Sequence, residues 1–201
     1  MGVDLLLIRP NSYLVSYKGI EDLAGIAPPL GLLSLASFLR SEGYCIEILD
    51  AEGIGLSIDS TLDRIAIINP KIIGITVMAG TMGVVTDLVK RIKICLNIPI
   101  FFGGLLPTAL PELFSSLGNG VCKGEGYKPL LFLLGQRNIG MDFIILEDRL
   151  EDLDLLPVID WDLVDLEDYR AHTWHTLGKE ERSPYGIVYS SRSVVKNGYI
   201  Y

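Results

Sequence analysis

Residues 72–104 read IIGITVMAGTMGVVTDLVKRIKICLNIPIFFGG, and this stretch decides the fold. Its two short apolar runs, Ile72–Val77 and Ile98–Phe102, predict strands, because runs without polar alternation are typical of strands buried on both faces. Between them, apolar residues recur at helical spacing, namely Val85, Leu88, Val89 and Ile92. The stretch therefore predicts a β-α-β unit of a parallel sheet, with a helix that starts at Thr81.

The same alternation continues on both sides of this unit. Further strands are predicted at Val3–Ile8, Cys45–Leu49, Val121–Lys123 and Phe143–Leu146. Further helices are predicted from Pro29 to Gly43, from a cap at Asp59 or Ser60 to Pro70, over Ala109–Leu117 with Thr108 as the cap, and over Leu130–Gln136 after Pro129. The order predicts a doubly wound open parallel sheet, Rossmann-like or flavodoxin-like, over residues 1–146. Residues 147–201 are predicted to form an acidic C-terminal linker and the start of a further region.

Composition and charge argue against several classes of function. The chain has 17 Lys and Arg against 25 Asp and Glu, so its net charge is −8. We expect no nucleic acid partner, since that affinity comes largely from basic side chains on phosphates. The longest uncharged stretch, residues 94–111, is interrupted by proline and glycine, so no membrane span is expected either. The first apolar run ends at Arg9 and is too short for the core of a signal peptide. We therefore expect a cytoplasmic protein.

The loops after the predicted strands hold the candidates for ligand contact. They are Arg9-Pro10-Asn11-Ser12, Asp50-Ala51-Glu52-Gly53, Thr76-Val77-Met78-Ala79-Gly80-Thr81, Gly103-Gly104 and Gly124-Glu125-Gly126. Ligands of open parallel sheets bind outside the carboxyl ends of the strands, and glycine lets the backbone approach a ligand closely. The alternative is that these glycines only make tight turns. Several such loops at one edge, with a long first loop, favour a sizeable ligand.

The sequence lacks the short motifs that would identify that ligand. There is no GxxxxGK[ST] phosphate loop, no GxGxxG after the first strand and no GxSxG nucleophile elbow. The two histidines, His172 and His175, come late in the chain. Their i, i+3 spacing would suit a metal on a helix, but a polar linker surface is the favoured interpretation, because Asp168 is the only obvious carboxylate beside them.

Two other features have simple interpretations. The cysteines, Cys45, Cys95 and Cys122, lie far apart in apolar runs, which predicts buried reduced thiols. Ten Asp and Glu residues and one basic residue lie between Glu147 and Asp168. This acidic run predicts a solvated linker rather than a surface for a basic partner.

Seven segments, in this order, carry a resemblance to a known family. They are PPLGLLSLA at 28–36, DAE at 50–52, IGITVM at 73–78, GGLLPT at 103–108, KGEG at 123–126, LDLLP at 153–157 and DWDLVDL at 160–166. Together they resemble the cobalamin-binding domain that precedes the catalytic barrel in cobalamin-dependent radical SAM proteins, with its acidic linker. The resemblance implies that the corrin ring lies on the carboxyl edge of the sheet and that the nucleotide tail runs into the domain.

The resemblance also implies the cofactor contacts. Thr76, Met78, Gly103 and Gly104 match positions that line the tail, where small residues make room and a hydroxyl meets a polar atom. On this basis Gly104→Leu is expected to block the tail without unfolding the domain. All predicted cobalamin contacts come from the same loops: Asn11, Ser12, Asp50, Glu52, Thr76, Met78, Gly80, Gly103, Gly104, Pro107, Gly124, Glu125 and Gly126. No catalytic or metal-ligating residue is predicted.

The sequence differs from related families in two motifs, the one that supplies a cobalt ligand and the one that holds an iron–sulfur cluster. Another cobalamin-binding branch ligates cobalt with the histidine of DxHxxG, but the loop from Arg9 to Ala27 has no histidine, which implies base-off, His-off cobalamin. Aligned on Ser190-Ser191-Arg192, the CxxxCxxC positions of the radical SAM barrel would be Val194, Gly198 and Tyr201, none of which can ligate iron. We expect no iron–sulfur cluster and no S-adenosylmethionine on this chain.

Three functions from different classes stay open at this point. The first is a stand-alone or severed cobalamin-binding module without catalysis of its own, for which a separate radical SAM polypeptide is a candidate partner. The second is a remnant that keeps the fold without the ligand and serves a structural or partner-binding role. The third is an enzyme or binder with a nucleotide-like ligand at the same sheet edge.

Overall fold

A computed structural model describes residues 2–13, 25–140, 142–148, 152–172, 182–188, 195–196 and 199–200. Six strands form one sheet: β1 (Leu5–Arg9), β2 (Ile46–Asp50), β3 (Ile72–Thr76), β4 (Ile100–Gly103), β5 (Gly120–Gly124) and β6 (Ile144–Asp148). Their spatial order is β2-β1-β3-β4-β5-β6, and every pair is parallel. β7 (Val195–Lys196) and β8 (Tyr199–Ile200) form a separate antiparallel pair.

Among the described residues, five helices connect the parallel strands: α1 (Leu30–Ser41), α2 (Ile58–Ile68), α3 (Met82–Cys95), α4 (Leu105–Ala109) and α5 (Tyr127–Leu134). The strand order reverses direction between β1 and β3, which makes this pair the topological switch point of the sheet. The predicted fold class, a doubly wound open parallel sheet, is confirmed. Among the described residues, no helix has the length and hydropathy needed to cross a membrane.

Alternation along the strands builds two apolar layers. In β1, Leu6 and Ile8 pack on the face covered by α2 and α3, whereas Leu5 and Leu7 pack on the face covered by α1 and α5. Successive strand side chains point to opposite faces, so a continuously apolar strand supplies both layers at once. These layers hold the sheet rigid and leave its carboxyl edge for other contacts.

Three predicted helix starts are wrong, and one of them is that of α5, which begins at Tyr127 rather than after Pro129. Thr108 does not cap a helix over Ala109–Leu117: it lies within α4, and its Oγ1 accepts a hydrogen bond from the Gly124 amide at 3.1 Å. α4 stops because Pro111, which has no N–H, begins a separate 3₁₀ turn. α2 is capped by Ser57, whose Oγ accepts from the Ser60 amide at 3.1 Å, rather than by Asp59 or Ser60.

The cysteine prediction is wrong for two of the three thiols. Cys45 and Cys95 are exposed, and only Cys122 is buried. Cys45 precedes β2, and Cys95 is the last residue of α3, beyond the buried stripe that ends at Ile92. Burial raises the pKa of the Cys122 thiol to about 12.

The acidic segment is fixed to the domain at several points where the structure describes it. Arg40 Nη1 of α1 bonds Asp160 Oδ2 at 2.7 Å, and the Asp160 amide donates to Ser37 Oγ at 2.8 Å. Farther along, Arg170 forms an antiparallel bridge with Ile26, beside the end of the first loop. His175 and the aligned CxxxCxxC positions lie outside the described residues.

Candidate ligand-binding site

A cleft of about 700 Å³ opens at the carboxyl edge of the sheet. It lies between the amino ends of α1 and α5 and runs down onto the sheet face that these helices cover. Its lower part is apolar, with Leu7, Leu32, Phe101, Cys122 and Leu130. The volume falls within the roughly 300–1,000 Å³ of ligand clefts, and an apolar interior with a few polar groups at the mouth is typical of them.

Strand alternation determines which residues line this cleft. Four strands each contribute a pair of residues two positions apart, on the face of α1 and α5: Leu7 and Arg9, Gly74 and Thr76, Phe101 and Gly103, Cys122 and Gly124. The second member of each pair is the last residue of its strand. The edge of the cleft is therefore one cation, one hydroxyl and two glycines.

Glycines keep the middle of this edge empty. Gly103 pairs with Thr76 across β4 and β3, and a Cβ on Gly103 would meet only the Cys122 carbonyl oxygen, at 3.7 Å. Gly104 is different: its φ is +99°, and a Cβ would lie 3.0 Å from both Thr76 Oγ1 and the Val77 carbonyl oxygen. Gly104→Leu would therefore strain the backbone itself, so weaker binding in that variant would not report on the cleft alone.

The loop after β3 presents a hydroxyl and an exposed thioether to the cleft. Thr76 is half-buried, and its hydroxyl has no hydrogen bond to any described residue. Met78 is 54% exposed at the cleft mouth. Thr81 holds this loop, because its Oγ1 accepts from the Met78 amide at 3.0 Å and donates to the Met78 carbonyl at 2.9 Å.

The other end of the edge is filled by an ion pair. Arg9 forms a two-point contact with the buried Asp50, from Nε to Oδ1 at 2.6 Å and from Nη2 to Oδ2 at 2.7 Å. Its third contact, from Nη1, reaches the Ala27 carbonyl at 2.8 Å. Asp50 also accepts from the Gly53 amide at 3.0 Å and from the Tyr169 hydroxyl at 2.8 Å. Four donors thus surround one carboxylate.

This ion pair perturbs its neighbours. Burial, followed by the charge of Asp50, raises the pKa of the Tyr169 hydroxyl, which keeps it a donor to that carboxylate. Burial also raises the pKa of Asp168, with further contributions from the charges of Asp165 and Asp50. The end of the acidic segment therefore stands in an already negative environment.

His172 is held beside the first loop, not over the cleft. Its Nδ1 accepts a hydrogen bond from the Gly25 amide at 2.9 Å. A Cβ on Gly25 would lie 2.8 Å from the His172 backbone nitrogen, so the two segments are in close contact. A neutral imidazole that accepts at Nδ1 carries its proton on Nε2.

The structure brings nine of the thirteen predicted residues together around the cleft: Ser12, Glu52, Thr76, Met78, Gly103, Gly104, Gly124, Glu125 and Gly126. The other four are placed elsewhere. Asn11 bonds the Leu56 carbonyl through Nδ2, and Asp50 lies beneath the edge in the ion pair. Pro107 is buried in α4, and Gly80 lies in the 3₁₀ turn before α3.

Several lining residues were not predicted as contacts. Gly74 leaves space for the Leu7 side chain on the sheet face, since a Cβ at position 74 would lie 2.9 Å from Leu7 Cδ2. Tyr127, at the start of α5, bonds Ser34 Oγ through its hydroxyl at 2.9 Å and so joins the two helices that flank the cleft. Gly31, on α1, has open space where a side chain would stand. The two-residue period of β3 could have predicted Gly74 as a lining residue. No sequence pattern indicated the lining residues on the helices.

Within the described part of the chain, no cluster of three or more His, Cys, Asp or Glu side chains could hold a metal ion. The three cysteines lie on different elements, before β2, at the end of α3 and within β5. The site as built is a cleft for an organic ligand with an apolar body and polar substituents at its rim.

Comparison with known proteins adds a family and a set of folds. The chain matches the family model of the B12 binding domain over residues 19–133. No curated protein sequence matches it.

Solved structures with a similar fold are radical enzymes. OxsB, a cobalamin-dependent S-adenosylmethionine radical enzyme with aqua-cobalamin and S-adenosylmethionine bound, is 22% identical with a TM-score of 0.56, over 66% of this chain and 18% of that chain. TsrM from Kitasatospora setae, a radical S-adenosylmethionine methyltransferase with tryptophan and aza-SAM bound, is 24% identical with a TM-score of 0.54, over 65% and 25%. The same enzyme with cobalamin and a [4Fe-4S] cluster is 24% identical with a TM-score of 0.53, over 67% and 24%. The chain thus spans at most a quarter of these enzymes, and the likeness concerns the fold.

Proposed function

Since the chain belongs to the B12-binding domain family, we propose that its cleft binds one cobalamin in the base-off, His-off form, with the nucleotide tail inserted between α1 and α5. The observation that carries this proposal is the cleft of about 700 Å³ at the carboxyl edge. Its apolar interior suits the body of the tail, and its open mouth leaves the corrin ring on the edge.

The predicted contacts have suitable chemistry for this role. The Thr76 hydroxyl, which lacks a hydrogen bond to the described residues, would meet a polar atom of the tail that burial would otherwise leave unsatisfied. Gly103 provides room, because it has no side chain and a Cβ there would meet only the Cys122 carbonyl oxygen, at 3.7 Å. The nine cleft-lining residues that the sequence predicted are our candidates for cobalamin contact.

The position of His172 supports the proposed state of the cobalt. A neutral His172 that accepts at Nδ1 has a protonated Nε2, so neither nitrogen offers cobalt a free lone pair while the Gly25 contact lasts. His172 is also not among the residues that line the cleft. Oxygen donors such as Ser12 are weak ligands for cobalt, so water or an empty position is expected on its lower face.

Two glycines provide a matched test of the cleft. Gly31 and Gly83 are each the second residue of a helix, both are exposed, and a Cβ on either meets nothing within 4 Å. Only Gly31 lines the cleft. Gly31→Trp should therefore weaken cobalamin binding at least about tenfold, equal to roughly 1.4 kcal/mol, whereas Gly83→Trp should bind as the parent does.

Binding is measured by absorbance titration with aquacobalamin and by calorimetry. A parent protein that gives neither heat nor a spectral change would contradict the proposal and favour the remnant interpretation. Equal binding by the two tryptophan variants would contradict the position of the site.

Electron paramagnetic resonance of the Co(II) form tests the lower face. A signal without nitrogen splitting supports base-off, His-off binding, because an axial oxygen does not split it. Splitting that disappears in His172→Ala would identify a protein ligand, and splitting that survives in both His172→Ala and His175→Ala would show that the tail base stays on the metal.

We also propose that residues 1–201 hold no iron–sulfur cluster of their own. The separate positions of Cys45, Cys95 and Cys122 support this proposal. Anaerobic reconstitution with iron and sulfide should yield no stoichiometric cluster signal. A [4Fe–4S] spectrum would contradict it.

A further inference from the structure

We propose that Glu52 makes the cleft selective for corrinoids whose rim substituents are amides rather than carboxylates. This inference rests on the proposed function and concerns a property of the same site: the polarity of the groups that it accepts. Cobalamin carries primary amides around its ring, and carboxylated corrinoids carry acids at the same positions, so a single functional group separates the two classes.

The positive charge that lines the cleft is compensated by another residue of the protein. Three charged residues line it, namely Arg9, Glu52 and Glu125. The guanidinium of Arg9 is neutralised within the protein, since two of its nitrogens bond the buried Asp50 and a third bonds the Ala27 carbonyl. Arg9 is the one Lys or Arg among the described residues that line the cleft, and its charge is already compensated by Asp50.

Glu52 is held in place by one oxygen. Its Oε2 accepts from Ser12 Oγ at 2.9 Å and from the Ser12 amide at 3.3 Å, which joins the loop after β1 to the loop after β2. The described residues provide no ion pair and no donor for its Oε1. The side chain is half-buried and lines the cleft, so Ser12 holds a carboxylate acceptor in place at the cleft wall.

An oriented carboxylate distinguishes an amide from an acid in both directions. An amide N–H donates a charge-assisted hydrogen bond to it, which is stronger than a bond between neutral groups. A ligand carboxylate at the same place has no proton to donate and repels it at close range. Bonds to charged groups of this kind change an affinity by roughly ten- to hundredfold.

The net charge of −8 repels every acidic ligand to some extent. The experiment must therefore separate the effect of the Glu52 charge from the effect of the net charge. Glu112 provides the control: it is exposed and does not line the cleft, and Glu112→Gln removes the same charge as Glu52→Gln. Glutamine at position 52 keeps an acceptor for Ser12, and circular dichroism checks that the variant is folded.

The probes are aquacobalamin and its isomeric monocarboxylic acids, in which one rim amide has been hydrolysed and the nucleotide tail is kept. We expect at least one isomer to bind the parent about tenfold more weakly than aquacobalamin, and this ratio should approach one in Glu52→Gln but not in Glu112→Gln. In the parent, the ratio should also decrease as salt rises from 0.05 to 0.5 M, because salt screens the repulsion.

The proposal is overturned if all isomers bind the parent as tightly as aquacobalamin, if the ratio is unchanged in Glu52→Gln, or if it is indifferent to salt. These outcomes leave cobalamin binding itself intact. Failure of aquacobalamin to bind the parent would instead remove the proposed function and this inference with it.

Discussion

Where β1 and β2 end, the chain fills the carboxyl edge with its own side chains; where β3 and β4 end, it leaves the edge bare. The filled part, which we call the fastened half, consists of Arg9, Asp50 and Tyr169, joined by hydrogen bonds of 2.6–2.8 Å. The bare part, the open half, consists of Thr76, Gly103 and Gly104.

The two halves belong to one parallel sheet, and they differ most in their side chains. In the fastened half a charge is buried and fully bonded, which makes its removal costly. In the open half the residues are small, and Thr76 has a hydroxyl without a bond to the described residues. The site is therefore a gap that is bounded on one side by a buried ion pair.

The largest expected effect is in the fastened half. Asp50→Asn removes the charge that compensates Arg9, so the free energy of unfolding should decrease by roughly 3–5 kcal/mol. Asp59→Asn, which breaks an exposed pair with Arg91, should cost less than about 1 kcal/mol. Urea denaturation measures both, and equal losses would remove the distinction between a buried and an exposed pair.

A smaller effect is expected in the open half, where two adjacent glycines should differ. Gly104→Ala places a Cβ at φ +99° and 3.0 Å from the Val77 carbonyl, and should cost about 1–3 kcal/mol. Gly103→Ala meets only an ordinary contact at 3.7 Å and should change stability by no more than about 0.5 kcal/mol. Thermal unfolding of the pair decides, and a tolerant Gly104 would show that the turn is not constrained.

Next in size is the removal of one hydroxyl. Tyr169→Phe deletes the donor to Asp50 Oδ2 but leaves Arg9 in place, so the loss should be about 1.5 kcal/mol. Tyr44→Phe, at a partly buried tyrosine on the opposite end of the sheet, is the control and should be near neutral. A loss for Tyr169→Phe no larger than that of the control would mean that the fastened half needs only the ion pair.

The smallest effect concerns pH. The pKa of Asp168 is raised in the folded protein by burial, then by Asp165 and Asp50, so its ionised form opposes folding. Asp168→Asn should therefore stabilise the protein at pH 7, by less than about 1 kcal/mol. The gain should be present above the raised pKa and fade as the pH falls towards 3.8, the ordinary value for aspartate. Asp63→Asn on α2 is the exposed control. An equal gain in stability for this variant would mean that the effect comes from the net charge alone and not from the surroundings of Asp168.

The sequence predicted the layers of the fold better than the ends of its elements. Each predicted strand of the sheet exists, because runs such as Ile72–Val77 are apolar on both faces and only a doubly covered strand satisfies them. The failures, at Thr108 and at the cap of α2, occurred where a choice among nearby polar residues depends on tertiary contacts. Thr108 bonds a glycine of β5, a partner that spacing along the chain does not reveal.

The candidate site was predicted in its open half and missed in its fastened half. Glycines and a threonine after adjacent strands are a local signal, and the register of parallel strands places them side by side. Tyr169 bonds an aspartate 119 residues earlier, and no periodicity links the two. Asp50 was taken for a ligand contact because an exposed carboxylate and one neutralised by Arg9 look the same in sequence.

The bond between Tyr169 and Asp50 also bears on the order in which the protein folds. During synthesis the sheet-forming residues, up to Asp148, precede Tyr169, so the strands can pair before their last fastener is made. Contacts between residues so distant in sequence form late, since the loop between them must first be closed. Interactions absent from the transition state mainly slow unfolding rather than accelerate folding. We therefore expect the Tyr169 contact to set how long the native protein survives, while the β1–β3 core sets how fast it is reached.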